Sequence, residues 1–297
     1  MARISGVIIA LNEAHQLHYA ISTLTPWCDE VIVVDQHSED ETASIAEELG
    51  ATVYQHDRTG GIADPARRFA VGKATGDWVF ILDADEMIPP TLATHLRELT
   101  ADDPPIDVVL VPRANLILGR WIRHGNNWPS RHARFFRPGS LLMTDRIHKS
   151  ITPAPGTRRH KLAADPGLAI WHFPGGNLSD LVRKVDRYTD IEARQAYASG
   201  RRVNGPLDLF PEAIKYFGRQ YVKGRGYRDG TMGLAVAITR TFYRVLTAAK
   251  LYELPRVKSR AAEVKLVRER LLKRWGDDPR SSAPATAPPT REAADPE

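Results

Sequence analysis

Residues 77–86, DWVFILDADE, decide how the chain is built. Trp78 to Leu82 run apolar without a break and then give way at once to Asp83, Asp85 and Glu86. A short unbroken apolar run suits a strand buried on both faces, as in a parallel sheet covered by helices. Working outward, the same plan recurs: Ile4 to Ala10 is an apolar run, and Val31 to Val34 is β-branched throughout before Asp35. Between these strands Asn12 to Leu24 has helical character. Ser38 with Glu41 three residues on reads as a capping box, and Gly50 as the residue closing that helix. Ala51 to Tyr54 is a third strand. Asp64 and Pro65 open a helix that Gly76 ends, a further helix follows Pro89 and Pro90 to about Leu99, and Asp107 to Val111 makes a fifth strand. Strands alternating with helices at this spacing predict an α/β fold with a mainly parallel sheet and helices on both faces.

In such sheets ligands bind at the carboxyl ends of the strands. Asp35 and the Asp83, Asp85, Glu86 group both fall there. Three carboxylates in four residues repel one another unless a cation compensates. Asp83 and Asp85, held in a turn, can approach one divalent ion that also takes diphosphate oxygens, the oxygen-rich mixture preferred by Mg²⁺ or Mn²⁺. The alternative for Asp35 is a turn or cap residue.

Composition bounds the rest. The chain has 297 residues, of which 42% are hydrophobic and 26% charged, which excludes a disordered or fibrous protein. One cysteine, Cys28, gives neither an intramolecular disulfide nor a cysteine-based zinc site, and no apolar run reaches eighteen residues. These features fit a cytoplasmic protein. The net charge of +5 conceals an asymmetry: residues 1–112 carry −13, residues 113–276 carry +21, and residues 277–297 carry −3. A basic half suits phosphates, anionic lipid or nucleic acid, although no nucleic-acid motif is present and no such partner is expected.

Beyond residue 112 the alternation fades. Arg113 to Arg137 reads as a substrate-facing loop system, in which Arg131, Arg134 and Arg137 recur every third residue, and Leu178 to Ala198 as a polar helix. Residues 210–275 combine aromatics with Lys and Arg. The helix bearing Arg240 and Arg244 fits either a core helix with two exposed arginines or an interfacial helix on anionic lipid. The five-proline tail, 277–297, lacks large apolar residues and is expected to be disordered. The resulting division is a nucleotide-sugar-binding half over 1–112, an acceptor-side half over 113–204, a basic-aromatic helical region over 205–276, and the tail.

IALNEA, VIVVDQHSEDET, ATGDWVFILDADE, GRWIRHG, RFFRPG, RIHKS and GYRDG together resemble family 2 glycosyltransferases, in the branch of the bacterial lipopolysaccharide-core glucosyltransferases. The resemblance spans about residues 3–254. It implies a GT-A fold, a nucleotide-sugar donor, a divalent metal and inversion at the anomeric centre. By the same resemblance Asn12, Glu13, Asp35, Arg67, Asp83 and Arg134 are expected around the donor, with Asp35 on the base and Asp83 on the ribose. Asp85 and His148 are expected on the metal. The sequence departs from the family pattern at Ser130, Lys149 and Arg68, where Asp, Glu and Asn are usual, so Glu86 and then Asp145 are the candidates for the base that deprotonates the acceptor.

The acceptor implied is a glycan or lipid-linked molecule, met at the inner face of a membrane with an anionic surface. Two other functions compete. A sugar nucleotidyltransferase would carry a Gly-rich loop after the first strand, which IALNEA lacks. A basic module for nucleic acid or anionic polymer would bind with steep salt dependence and turn over no sugar.

Overall fold

The computed structural model describes residues 1–57, 64–117, 119–143, 151–174, 178–205, 208 and 210–276. Its centre is a sheet whose first strands are β1 (Ile4–Ala10), β2 (Glu30–Asp35), β3 (Thr52–Gln55) and β4 (Trp78–Asp83), all parallel, in the order β3-β2-β1-β4. Helix α1 (Leu17–Leu24), α2 (Thr42–Glu48), α3 (Asp64–Lys73) and α4 (Pro90–Leu99) connect or flank them.

Two apolar cores lie on opposite faces of this sheet. Ile8, Val33, Trp78, Phe80 and Leu82 pack with Leu17, Ile21 and Leu24 of α1, Ala46 of α2 and Leu92 and Leu96 of α4. Val7, Ile9, Val34, Val79 and Ile81 pack with Ala66 and Ala70 of α3 on the other face. Both faces are covered, which is why the strands read as continuous apolar runs. The α/β, GT-A-type architecture expected from the sequence is the one observed.

Local signals hold unevenly. Gly50 adopts φ +79°, and the bonds from Gly50 N to Glu47 O (2.9 Å) and Ala51 N to Ala46 O (3.0 Å) close α2 in a Schellman arrangement. The capping box does not form. The residue before α2 is Glu41, while Ser38 turns its hydroxyl to the Asp35 carboxylate. The helix expected from Asn12 begins only at Leu17, because Asn12 takes φ +55° in the loop after β1.

The larger correction concerns Arg113 to Arg137. The fifth strand does not stop at Val111 but runs on as β6 (Val108–Ile117), followed by β7 (Arg120–Ile122) and β8 (Ser130–Phe136). Strand β8 inserts antiparallel between β4 and β6. Phe135 and Phe136 thus sit at the middle of the sheet, 0% and 1% exposed. Their burial on opposite faces makes this stretch a packed element despite its arginines. Outside β8 the sheet continues through β6 to β12 (Ile170–His172) and β5 (Glu86–Met87), with β7 and β11 (Arg159–Lys161) also pairing to β6; β9 (Leu141–Met143) and β10 (Ile151–Pro153) form a separate hairpin.

The C-terminal part is helical: α5 (Leu178–Ala198), α6 (Phe210–Phe217), α7 (Gly230–Glu253) and α8 (Val257–Gly276). The 119–129 segment docks on it. His124 N and Nδ1 lie 2.7 and 2.8 Å from the two oxygens of Asp229, and Arg240 donates to Asn127 Oδ1 at 2.6 Å. Arg240 therefore faces the protein rather than solvent, and burial lowers its pKa. Arg244 reaches Glu192 of α5 at 3.4 Å. The two arginines of α7 serve packing between segments. The 277–297 tail lies outside the described residues.

Candidate active site

Strand register assembles the site. Asp35 pairs with Ala10 and Asp83 with Ile9, so the two aspartates stand on either side of the same carboxyl end of β1. Asp35 is 1% exposed. Its carboxylate accepts the backbone N–H of Ser38 at 3.1 Å and the Ser38 hydroxyl, which makes it the organiser of the turn. Asn12 is tied to the same turn, accepting the Glu39 N–H on its side chain and donating its own N–H to Ser38 Oγ, both at 2.8 Å. The N–H of Glu13 donates to Thr42 Oγ1 at 2.8 Å. Burial, added to by the charge of Asp85, raises the pKa of the Glu13 carboxyl against an opposing hydrogen bond from Gln16.

Asp83 is held between two guanidiniums. Arg67 of α3 donates to Oδ1 and Arg134 of β8 to Oδ2, each at 2.6 Å. Burial alone would raise its pKa, but the Arg134 and Arg67 charges outweigh it and hold the carboxyl well below the usual range. Arg134 reaches Asp83 through a β-bulge. Leu110 pairs with Ala133 and Val109 with Phe135, so Arg134 is the extra residue. A bulge in this position re-aims a side chain that regular alternation would send elsewhere. Arg131 and Arg137, three residues to either side, point away: Arg131 donates to Leu162 O and Arg137 to Ile106 O. Their helix-like spacing has no meaning on a strand.

Glu86 is the most buried carboxylate here, at 0% exposure. Its Oε2 accepts the Asp83 N–H at 2.9 Å, and its Oε1 accepts Arg134 at 3.0 Å and Arg113 at 3.2 Å. A carboxylate so enclosed is engaged by two guanidiniums and the Asp83 N–H. Asp145, His148 and Lys149 lie outside the described residues.

Sequence inspection missed His172, Asn115 and Arg113. Strand β12 pairs His172 with Asn115 of β6 on one side and Glu86 of β5 on the other. The His172 ring thereby lies with Nδ1 2.9 Å from Asn115 Oδ1 and Nε2 3.2 Å from Asp85 Oδ2. Burial raises the Asp85 pKa, but the His172 contact more than offsets it. Nothing near His172 (AIWHF) marks it in the sequence; only the crossing of β12 beside β5 brings it to the Asp-x-Asp turn. From α5, Lys184 adds positive potential at both Glu13 and Asp85.

Among the described residues no group of three or more His, Cys, Asp and Glu side chains that could hold a metal ion is assembled; Asp85 and His172 form a pair. With Nδ1–H on Asn115 Oδ1, His172 Nε2 and Asp85 Oδ2 stand where they could share one cation, while a protonated His172 donates to Asp85 directly. One carboxylate and one imidazole leave the remaining positions for phosphate and water, as Mg²⁺ and Mn²⁺ sites commonly do. Buried nitrogens of Gln36 (Nε2), Arg113 (Nε) and Arg134 (Nη1) have no hydrogen-bond partner among the described residues.

Comparison with known proteins identifies the family. A family model described as Glycosyl transferase family 2 matches residues 5–160. The chain is 28% identical over 263 residues to the lipopolysaccharide core biosynthesis glycosyltransferase LpsC of Rhizobium meliloti (strain 1021), covering 86% of this chain and 94% of that protein. An uncharacterized glycosyltransferase of Rickettsia felis is 27% identical, over 85% and 90% of the two chains. Among solved structures, the mannosyltransferase PcManGT of Pyrobaculum calidifontis, in complex with GDP-Man and Mn²⁺, covers 84% of this chain and 87% of its own at 18% identity and a TM-score of 0.49. The Mycobacterium tuberculosis glucosyl-3-phosphoglycerate synthase, with Mn²⁺ and UDP, matches 36% of this chain and 42% of its own at 28% identity and a TM-score of 0.30.

Proposed function

Because this chain belongs to glycosyl transferase family 2 and is a glycosyltransferase, we propose that it moves a sugar with inversion from a nucleotide-sugar donor to a glycan or lipid-linked acceptor in lipopolysaccharide-core or related envelope synthesis. The observation that carries the reading is the convergence of Asp85 and His172 beside an Asp83 clamped by Arg67 and Arg134. LpsC, similar over nearly its whole length, supports the choice of acceptor class.

Asp85 and His172 would hold the divalent cation, whose chemistry is to neutralise the charge that builds on the departing nucleoside diphosphate. Arg113 and Arg134 retain free N–H groups in the buried floor, where a fixed donor binds anionic oxygens without reorganising. Asp35 and Gln36 close the far side. Gln36 Nε2 offers a donor to a base carbonyl, and Asp35 holds the turn that presents it. Glu86 is a positioning residue. It aligns both arginines and fixes the Asp83 backbone, so that its removal displaces the diphosphate-binding groups together.

The protein works at the inner face of a membrane. Among the described residues no helix is long and apolar enough to cross one. Helix α8 carries exposed Val257, Val264, Val267, Leu271 and Trp275 on one side, together with exposed Arg260 and Arg268, and exposed Leu266 on the opposite side. Such a helix lies in an anionic interface, each Lys or Arg contributing about 1 kcal/mol there. Diphosphate release from a panel of nucleotide sugars, with Mg²⁺ or Mn²⁺ and a lipopolysaccharide-core acceptor, tests the transfer. No release with any donor would refute it. Flotation with anionic vesicles tests the surface, and equal flotation of a folded chain lacking residues 257–276 would refute the role of α8.

A further inference from the structure

The helices behind the site enclose a second cavity. It lies among α5, α6 and α7, has a volume of about 320 Å³, and is walled by Arg201, Arg202, Arg219 and Arg244 with Tyr216 and Glu192 between them. The four cations are unevenly satisfied. Arg244 reaches Glu192 at 3.4 Å, and Arg202 donates to Tyr197 O at 2.8 Å while stacking on that ring. Tyr216 carries Arg219 and Arg244 at 5.0 and 5.5 Å from its ring centroid. Among the described residues the guanidiniums of Arg201 and Arg219 make no hydrogen bond or ion pair. Asp208, the other carboxylate in the wall, accepts the Asn204 N–H at 3.0 Å.

Four solvent-exposed guanidiniums against the two carboxylates of Glu192 and Asp208 leave this concavity with an excess of positive charge, and the planar fork of arginine fits phosphate oxygens in pairs. The volume lies at the lower end of small-molecule sites. This cavity is not the donor site. Helix α5 presents Lys184 toward Asp85 and Glu192 toward the cavity, eight residues or about 12 Å apart along the helix axis.

We infer that the α5–α6–α7 cavity binds a phosphate-bearing group, supplied either by a lipid headgroup at the membrane or by a soluble phosphorylated molecule, at a place separate from the transfer site. The site does not depend on the proposed acceptor.

The test titrates the full chain calorimetrically with inorganic pyrophosphate in the absence of divalent cation, and floats it with phosphatidylcholine vesicles containing phosphatidic acid. Wild type is compared with Arg201→Gln/Arg219→Gln. The double variant should lose at least about tenfold in one of the two bindings, since each charge-assisted bond removed weakens binding about that much. Loss confined to vesicles identifies a lipid headgroup; loss of pyrophosphate binding identifies soluble phosphate chemistry. Unchanged pyrophosphate affinity together with unchanged flotation overturns the site. If the double variant fails to fold, Arg219→Gln against Arg219→Lys makes the same comparison. An Asp85→Ala variant separates this inference from the proposed function: it should lose metal-dependent donor binding yet keep pyrophosphate binding here.

Discussion

Replacing Glu86 by Gln changes one oxygen to an amide nitrogen and asks what the carboxylate does. In the native chain Oε2 accepts the Asp83 N–H at 2.9 Å, and Oε1 accepts Arg134 and Arg113 at 3.0 and 3.2 Å. A glutamine keeps one acceptor. If that oxygen faces the arginines, the new NH₂ meets the Asp83 N–H, donor against donor; if reversed, it meets two guanidiniums. Either way a fully buried ion pair is broken, a change that costs about 3–5 kcal/mol, less whatever local relaxation recovers. At about 2–4 °C per kcal/mol for a chain of this size, the melting temperature should fall by roughly 6–20 °C. Turnover should fall too, mainly through weaker donor binding, with the pH–rate profile unmoved. Circular dichroism melting and steady-state kinetics on the same preparation read both. A Glu86→Gln chain with native melting temperature, native donor KM and a kcat lowered by a hundredfold or more would show instead that Glu86 is the base.

Two further outcomes follow from packing and charge. A Cβ at Gly76 would meet Ser5 Oγ at 2.7 Å and the Arg3 carbonyl at 2.8 Å, so Gly76→Ala should destabilise by about 1–3 kcal/mol. Gly72→Ala, with open space around it in α3, should be neutral or stabilising by up to about 1 kcal/mol, and equal melting of the two variants would refute the argument. His132 is held neutral, its pKa lowered to about 3 by burial and then by Arg113 and Arg134. Between that value and about 6.5 the unfolded chain binds a proton that the folded chain refuses. Its contribution is therefore complete above about pH 6.5 and is lost as pH falls toward 3, at up to about 1.4 kcal/mol per unit. Denaturant titrations of wild type and His132→Gln should diverge across that window, and parallel curves would contradict it.

The parallel half of the fold was legible because β1, β2 and β4 are buried on both faces and a helix follows each strand, so apolar runs and turn residues mark most of its boundaries. Gly50 and Pro90 stand at the helix ends where local chemistry puts them. Strand β8 was not legible. Its arginines resemble a polar loop, and what buries Phe135 and Phe136 is insertion between β4 and β6, a pairing distant in sequence. The site divides in the same way. Asp35, Asp83 and Asp85 announce themselves at strand ends, whereas His172 is an isolated histidine until β12 crosses beside β5. Adjacency of Glu86 to Asp85 in sequence suggests exposure at the site, while strand β5 turns its carboxylate inward onto Arg113 and Arg134.

The central claim is that Asp85 and His172 act as one cation site for a nucleotide-sugar donor. Calorimetric titration of nucleoside diphosphates in the presence of Mn²⁺, on wild type, Asp85→Asn and His172→Ala, tests it directly. The account predicts binding that EDTA abolishes in wild type and that each substitution weakens at least tenfold, with the double variant little worse than either single one. Metal-dependent binding of native strength in folded His172→Ala would contradict it.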